Sequence, residues 1–209
     1  MKLLEFDKTI ELLEKYNIPI PWTRKIKSEK DLKGLRKTKQ FPFVLKAFSP
    51  NLLHRTEKGL VFKDIQNEND LREKFNIIKR NNALKKGVIL IQEQIKGLEF
   101  VSGMKRDKVF GPALLFGMGG IFVEILKDVS WSIAPINLSE AKKMINSIKA
   151  KKILKGYRNT EKINIKKLAE IIVNISNLSM KEKTIKEIDF NPIIANQKES
   201  LVVDFKLLI

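Results

Sequence analysis

Apolar side chains recur at steps of three and four through the first sixteen residues, at Leu3, Phe6, Ile10 and Leu13, with acids and lysines between them. That spacing gathers them on one face and predicts an amphipathic helix, stopped near Asn17 and the IPIP turn at 18–21. The stretch after it reads as extended, Glu29 to Leu35 as a short helix, and FPFVLKAF as a strand beginning after Pro42. GLVFKDI is a second strand, and between the two lies the polar loop SPNLLHRTEKG, residues 49–59. Leu71, Phe75 and Ile78 share one face of a helix predicted over 67–82.

From Gly87 the period shifts toward two. VILIQEQ, LEFVSGMKRD, VFGPALLFG and IFVEIL read as strands, punctuated by glycines at 97, 103, 111, 117, 119 and 120. Two helices follow, one with Ala141, Met144, Ile145 and Ile148 on a face behind the capping pair Asn137 and Glu140, the other with Leu168, Ile171, Ile172, Ile175 and Leu178. The chain closes on IKEIDFNPIIA and SLVVDFKLLI, joined by NQKES, which is a hairpin signal. Strand blocks, then helices, then a hairpin predict an α+β fold of two parts, residues 1–84 and 85–209, with no internal repeat and no low-complexity segment.

The 209 residues are 43% hydrophobic, enough for one generous core or two small ones. No stretch approaches the roughly 18 apolar residues of a membrane span, and the acid-studded amino terminus is not a leader, so the expected location is cytoplasmic with no membrane partner. The absence of cysteine excludes disulfides and thiolate chemistry, and a single histidine leaves any metal to oxygen ligands, which favours magnesium over zinc. A formal charge of +17, from 41 Lys and Arg against 24 Asp and Glu, raises nucleic-acid binding. The cations are dispersed, however, without a basic tail or an aromatic recognition signature. A solvated cationic surface accounts for them, and such a surface would also attract nucleotide phosphates or an acidic partner chain.

Four constellations carry candidate chemistry. Lys46 sits within the apolar run FVLKAF and shares a face with Val44 and Phe48, so it either leaves an edge strand outward or reaches toward an anion such as phosphate. The loop 49–59 sets His54 between apolar residues and the cations Arg55 and Lys58; it could fold over phosphates, or the histidine could be a solvated loop residue. FGMGGIFVEIL, residues 116–126, is a glycine-rich turn ending in Glu124 among apolar neighbours, where the acid requires a metal or a cation as partner. If EIDFNP and VVDFK pair as a hairpin, Asn191 and Asp204 come onto one face as two oxygen ligands for a magnesium-nucleotide.

In order, VLKAFSPNLLHRTEKGLVF, QEQIKGLEFVSGMKRDKVFGPALLFGMGGIFVEILKD, IAPI, LKGYR, EIDFNP and VVDF resemble the beta chain of the archaeal type of ADP-forming acetyl-CoA synthetase, related to succinyl-CoA synthetase beta chains among ATP-grasp proteins, over about residues 10–209. The resemblance implies an ATP-grasp fold with ATP or ADP and magnesium between two α+β subdomains. It implies Lys46 and Arg55 at the nucleotide phosphates, the hinge segment QEQI, residues 92–95, with Glu93, Gln94 and Ile95 at adenine, Glu99 as a polar contact, and Asn191 and Asp204 as magnesium ligands. His54 is then the histidine that carries the phosphoryl group in transit, Asp189 an acid beside it, and Gly119, Gly120 and Glu124 the loop facing the incoming group. An acid-thiol ligase of this type takes acyl-CoA, ADP and phosphate to free acid, CoA and ATP, and the reverse. CoA and the acyl substrate would bind a separate alpha chain in an α2β2 assembly, with no nucleic acid involved. The chain departs from the family's pattern at Leu60, Ser132 and Asn159, where a glycine, an arginine and a glycine are usual. A nucleotide-binding regulatory module that has lost turnover is the alternative expectation.

Overall fold

The computed structural model describes residues 1–32, 35, 40–49, 59–81, 84, 87–120, 128–157 and 161–209. The chain divides into two units, one formed by Pro21–Ile95 and the other by Met1–Ile20 with Lys96–Ile209. The sequence-based division at residue 84 is therefore corrected at both ends. β4 (Val88–Glu93) is an inner strand of the smaller unit, and the first twenty residues belong to the larger one. The cause is long-range pairing that no local pattern encodes. Backbone N–H groups of Lys2 and Leu4 donate to Ile209 and Leu207, Phe6 stacks on Phe205, and Val202 N–H donates to the Pro19 carbonyl.

The smaller unit is an antiparallel sheet ordered β1 (Thr23–Ile26), β4, β2 (Phe43–Phe48), β3 (Val61–Ile65). Helix α1 (Phe6–Lys15) belongs to the other unit, and α2 (Glu68–Arg80) packs on this sheet through Leu71, Phe75 and Ile78, all fully buried. Asn67 starts α2 by accepting the Asp70 N–H at 2.9 Å, satisfying one of the donors that a helix start leaves unpaired. Alternation along β2 sends Phe43, Leu45 and Ala47 into this core and frees the other face for Val44 and Lys46. Leu60 is also fully buried there, so the departure at that position supplies packing.

The larger unit centres on six antiparallel strands, ordered β10 (Phe205–Leu208), β8 (Glu187–Ala195), β5 (Leu98–Asp107), β6 (Gly111–Met118), β7 (Val129–Ile133), with β9 (Ser200–Val202) also on β8. Helices α3 (Leu138–Ser147) and α4 (Ile165–Lys181) cover this sheet. The capping pair is present: Asn137 accepts from Ser139 and Glu140 N–H, and Glu140 accepts from Asn137 N–H at 2.7 Å. Arg106 closes the far end of α4, its guanidinium donating to the Ser179 carbonyl at 2.7 Å and to that of Ile185 at 3.0 Å, where the helix leaves carbonyls unpaired. Ile188 and Phe190 point into the core, so Glu187, Asp189 and Asn191 take the opposite face of β8. No helix among the described residues is long and apolar enough to cross a membrane.

The predicted strand IFVEIL, residues 121–126, lies outside the described ones, and β7 follows it without having been expected. SLVVDFKLLI forms two strands in place of one. The interruption faces Pro192, which has no N–H to continue the ladder; its carbonyl instead accepts from both Val203 and Asp204.

Candidate functional site

In the smaller unit Lys46 is buried and donates to the side-chain oxygen of Gln92 at 3.0 Å. The sheet therefore holds its ammonium on the face away from α2, where β1, β4 and β2 lie side by side. At the end of β4 the chain leaves the sheet through Gln94 and Ile95. Glu93 N–H donates to Trp22 at 2.9 Å and Gln94 N–H to Pro42 at 3.3 Å, whereas the Ile95 N–H has no acceptor among the described residues. The Gln94 side chain is engaged elsewhere: its oxygen accepts the Asp64 N–H at 2.7 Å and its nitrogen donates to the Asp64 carboxylate at 2.6 Å. That double contact holds Asp64 in a left-handed conformation, φ 59°. Gln94 is thus a tie to β3 by its side chain.

In the larger unit the pairs Phe190–Phe205 and Ile193–Val202 keep one register, which sets Asn191 opposite Asp204. Asn191 N–H donates to the Asp204 carbonyl at 3.1 Å. The Asp204 carboxylate accepts the Phe205 N–H at 2.9 Å, fixing one of its oxygens. Two residues before Asn191, Asp189 faces Lys206 across the ladder, with 3.6 Å between ammonium and carboxylate. Burial raises the Asp189 pKa above the usual carboxylate value; Lys206 opposes this, and the negative charges of Asp204 and Glu187 reinforce it. Asp189, Asn191 and Asp204 thus bring together oxygen donors only, the chemistry that suits a hard divalent cation. Among the described residues no three His, Cys, Asp or Glu side chains are placed to hold a metal by themselves, so a cation here would complete its shell with ligand oxygens and water.

Glu99 on β5 comes together with Gly119 and Gly120, which follow the end of β6. Gly119 N–H donates to the Glu99 carbonyl at 2.8 Å, and a Cβ on Gly119 would stand 2.9 Å from the Glu99 carbonyl carbon, so only glycine passes this close. Gly120 has φ +63°, with a Glu99 carboxylate oxygen 3.3 Å from where a Cβ would be. His54, Arg55 and Glu124 lie outside the described residues. Lys206 was absent from the sequence-based site, and Gln92 entered it only as the first residue of the hinge segment. The signal for Gln92 was a polar residue closing the apolar run VILI, and for Lys206 a cation following Asp204 by two.

Residues 1–209 match the family described as ATP-grasp domain. The beta subunit of acetate–CoA ligase (ADP-forming) I from Pyrococcus furiosus is 40% identical over 205 residues, which cover 95% of this chain and 88% of that protein. Among solved structures, acetyl-coenzyme A synthetase 1 of Ca. Korarchaeum cryptofilum in complex with coenzyme A and Ca-AMPCP is similar at TM-score 0.90 and 30% identity, covering 100% of this chain and 93% of that one. A structure of the same enzyme with coenzyme A and Mg-AMPPCP, its phosphohistidine segment pointing towards the nucleotide binding site, gives TM-score 0.84 at 31% identity, over 100% and 92% of the two chains. The chain belongs to the ATP-grasp family and, within it, to the beta subunits of ADP-forming acetate–CoA ligases.

Proposed function

We propose that this chain is the nucleotide-binding beta subunit of an ADP-forming acyl-CoA synthetase, a cytoplasmic acid-thiol ligase that interconverts acyl-CoA, ADP and phosphate with free acid, CoA and ATP. The observation that carries the reading is the Asn191–Asp204 pair, fixed in register where β8 passes the break between β9 and β10, with Asp189 beside it. This oxygen donor set fits magnesium, and the related Korarchaeum enzyme was solved with Mg-AMPPCP. Bound there, magnesium would neutralise charge developing on phosphate oxygens.

The protein's own groups then divide the work. Lys46 and Arg55 hold phosphate oxygens by charge-assisted hydrogen bonds. Adenine is recognised by the main chain at Glu93–Ile95, a role suited to the Ile95 N–H, which has no acceptor among the described residues. Glu99 orders the Gly119–Gly120 turn, whose lack of side chains lets a phosphoryl group approach the main chain. His54 attacks the terminal phosphorus as the neutral imidazole; the N–P bond forms as the P–O bond to ADP breaks, and the electron pair leaves with ADP. Asp189 orients the ring, and Glu124 belongs to the same transfer site. Lys46 also remains fit to stabilise the ADP that departs.

A companion alpha chain supplies CoA and acyl binding in this reading, in an α2β2 assembly. The reading is tested by the affinity of the purified chain for Mg-ATP against an oligonucleotide at moderate salt. Micromolar to submillimolar Mg-ATP binding without oligonucleotide binding is expected, and the reverse preference would remove the ligase reading.

A further inference from the structure

On the open face of the smaller sheet, the reading above uses Lys46 but leaves Gln92 and Thr23 without a role. Thr23, Gln92 and Val44 stand in register across β1, β4 and β2, and Lys46 lies two residues further along β2 on the same face. Gln92 is only 2% exposed and Lys46 4%. Lys46 Nζ donates to Gln92 Oε1 at 3.0 Å, Gln92 Nε2 donates to Thr23 Oγ1 at 3.0 Å, and Thr23 Oγ1 donates to the Pro21 carbonyl at 2.8 Å. The direction of this chain is forced from both ends. An ammonium can only donate and a carbonyl can only accept, so the Gln92 amide has one orientation and the Thr23 hydroxyl one rotor position.

We propose that Gln92, held by Thr23, is a positioning residue that aims the Lys46 ammonium at the phosphate oxygens of a nucleoside triphosphate. This rests on the assignment of Lys46 to those phosphates. A lysine side chain has four rotatable carbons, and holding its tip in one place before ligand arrives removes part of the entropy that binding otherwise costs. A neutral acceptor does this without cancelling the positive charge, as a carboxylate at position 92 would. The ammonium has three donors, of which Gln92 takes one. Thr23 acts at one remove: without its oxygen the amide loses the acceptor that fixes its orientation.

The test measures dissociation constants of the full chain for Mg-ATP and for adenosine, which has no phosphates, by calorimetry. Gln92→Leu is expected to weaken Mg-ATP binding about tenfold, the scale of one hydrogen bond to a charged group, while adenosine binding stays as in the wild type. Thr23→Val should move in the same direction by a smaller factor, and Thr23→Ser, which keeps the oxygen, should restore the wild-type value. A purely structural role would weaken both ligands together, and that result overturns the proposal. So does wild-type Mg-ATP affinity in Thr23→Val, the variant that serves if Gln92→Leu does not fold. Lys46→Met distinguishes the levels: if it too leaves Mg-ATP affinity intact, the phosphate role of Lys46 falls; if it alone weakens binding, only the positioning role falls.

Discussion

In the smaller unit a buried ammonium, that of Lys46, meets the neutral amide of Gln92, whereas in the larger unit Asp189, Asn191 and Asp204 crowd oxygens along β8 and its neighbours with Lys206 beside them. Both units spend a sheet face on polar side chains, but they resolve the burial of charge in opposite ways. The smaller unit keeps its cation and orients it. The larger unit keeps carboxylates close enough to raise the Asp189 pKa by burial and by the charges of Asp204 and Glu187. One arrangement is suited to an anion and the other to a cation, and a metal nucleotide has both.

The largest effect is expected from the anion half. Lys46→Met should weaken Mg-ATP by about 100-fold, the loss of roughly 3 kcal/mol of charge-assisted contacts, measured by calorimetry at fixed ionic strength. An unchanged affinity would show that Lys46 does not hold the phosphates. In the cation half, Asn191→Ala or Asp204→Ala should each weaken Mg-ATP about tenfold and raise the magnesium concentration needed for saturation, because phosphates and water still hold most of the ion. Thermal unfolding should stay near wild type for Asn191→Ala, whose side chain is exposed. A magnesium titration superimposable on that of the wild type in both variants would remove the pair from the site.

The smallest effect is a pH dependence. Asp189 has a folded pKa above its ordinary value, so the folded state binds its proton more tightly than the unfolded state. Stability therefore falls as pH rises from the ordinary carboxylate value through the raised one, and the penalty persists above it. Asp189→Asn should be more stable than wild type at neutral pH, with the advantage vanishing in acid, as read from urea midpoints across pH. A constant difference at every pH would show that Asp189 is not the strained acid of this cluster.

Helices were legible because their apolar faces repeat locally: Leu71, Phe75 and Ile78, and the run from Leu168 to Leu178, are the buried positions of α2 and α4. The hairpin that joins Asn191 to Asp204 was legible from its polar turn, but its interruption was not, because that depends on Pro192 across the ladder. β7 alternates in full, Val-Ser-Trp-Ser-Ile, yet Trp131 is 61% and Ile133 45% exposed, so its apolar positions do not mark a buried face. The place of the first twenty residues was hidden for a similar reason. Residues 2–4 pair with 207–209, and nothing near either end announces the other. Lys46 stood out as a charge in an apolar strand, whereas the roles of Gln92 and Thr23 depend on three strands being side by side.

In the proposed function this chain takes a phosphoryl group in transit, and His54 is the sole histidine in its 209 residues. The most direct measurement is rapid quench of the chain with its alpha partner, magnesium and ATP labelled in the terminal phosphate, followed by separation of the two chains. Acid-labile, base-stable label is expected on this chain, lost in His54→Ala together with most acyl-CoA synthesis, while Mg-ATP binding survives through Lys46 and the hinge. An unlabelled wild-type chain, with full acyl-CoA synthesis in His54→Ala, would contradict it.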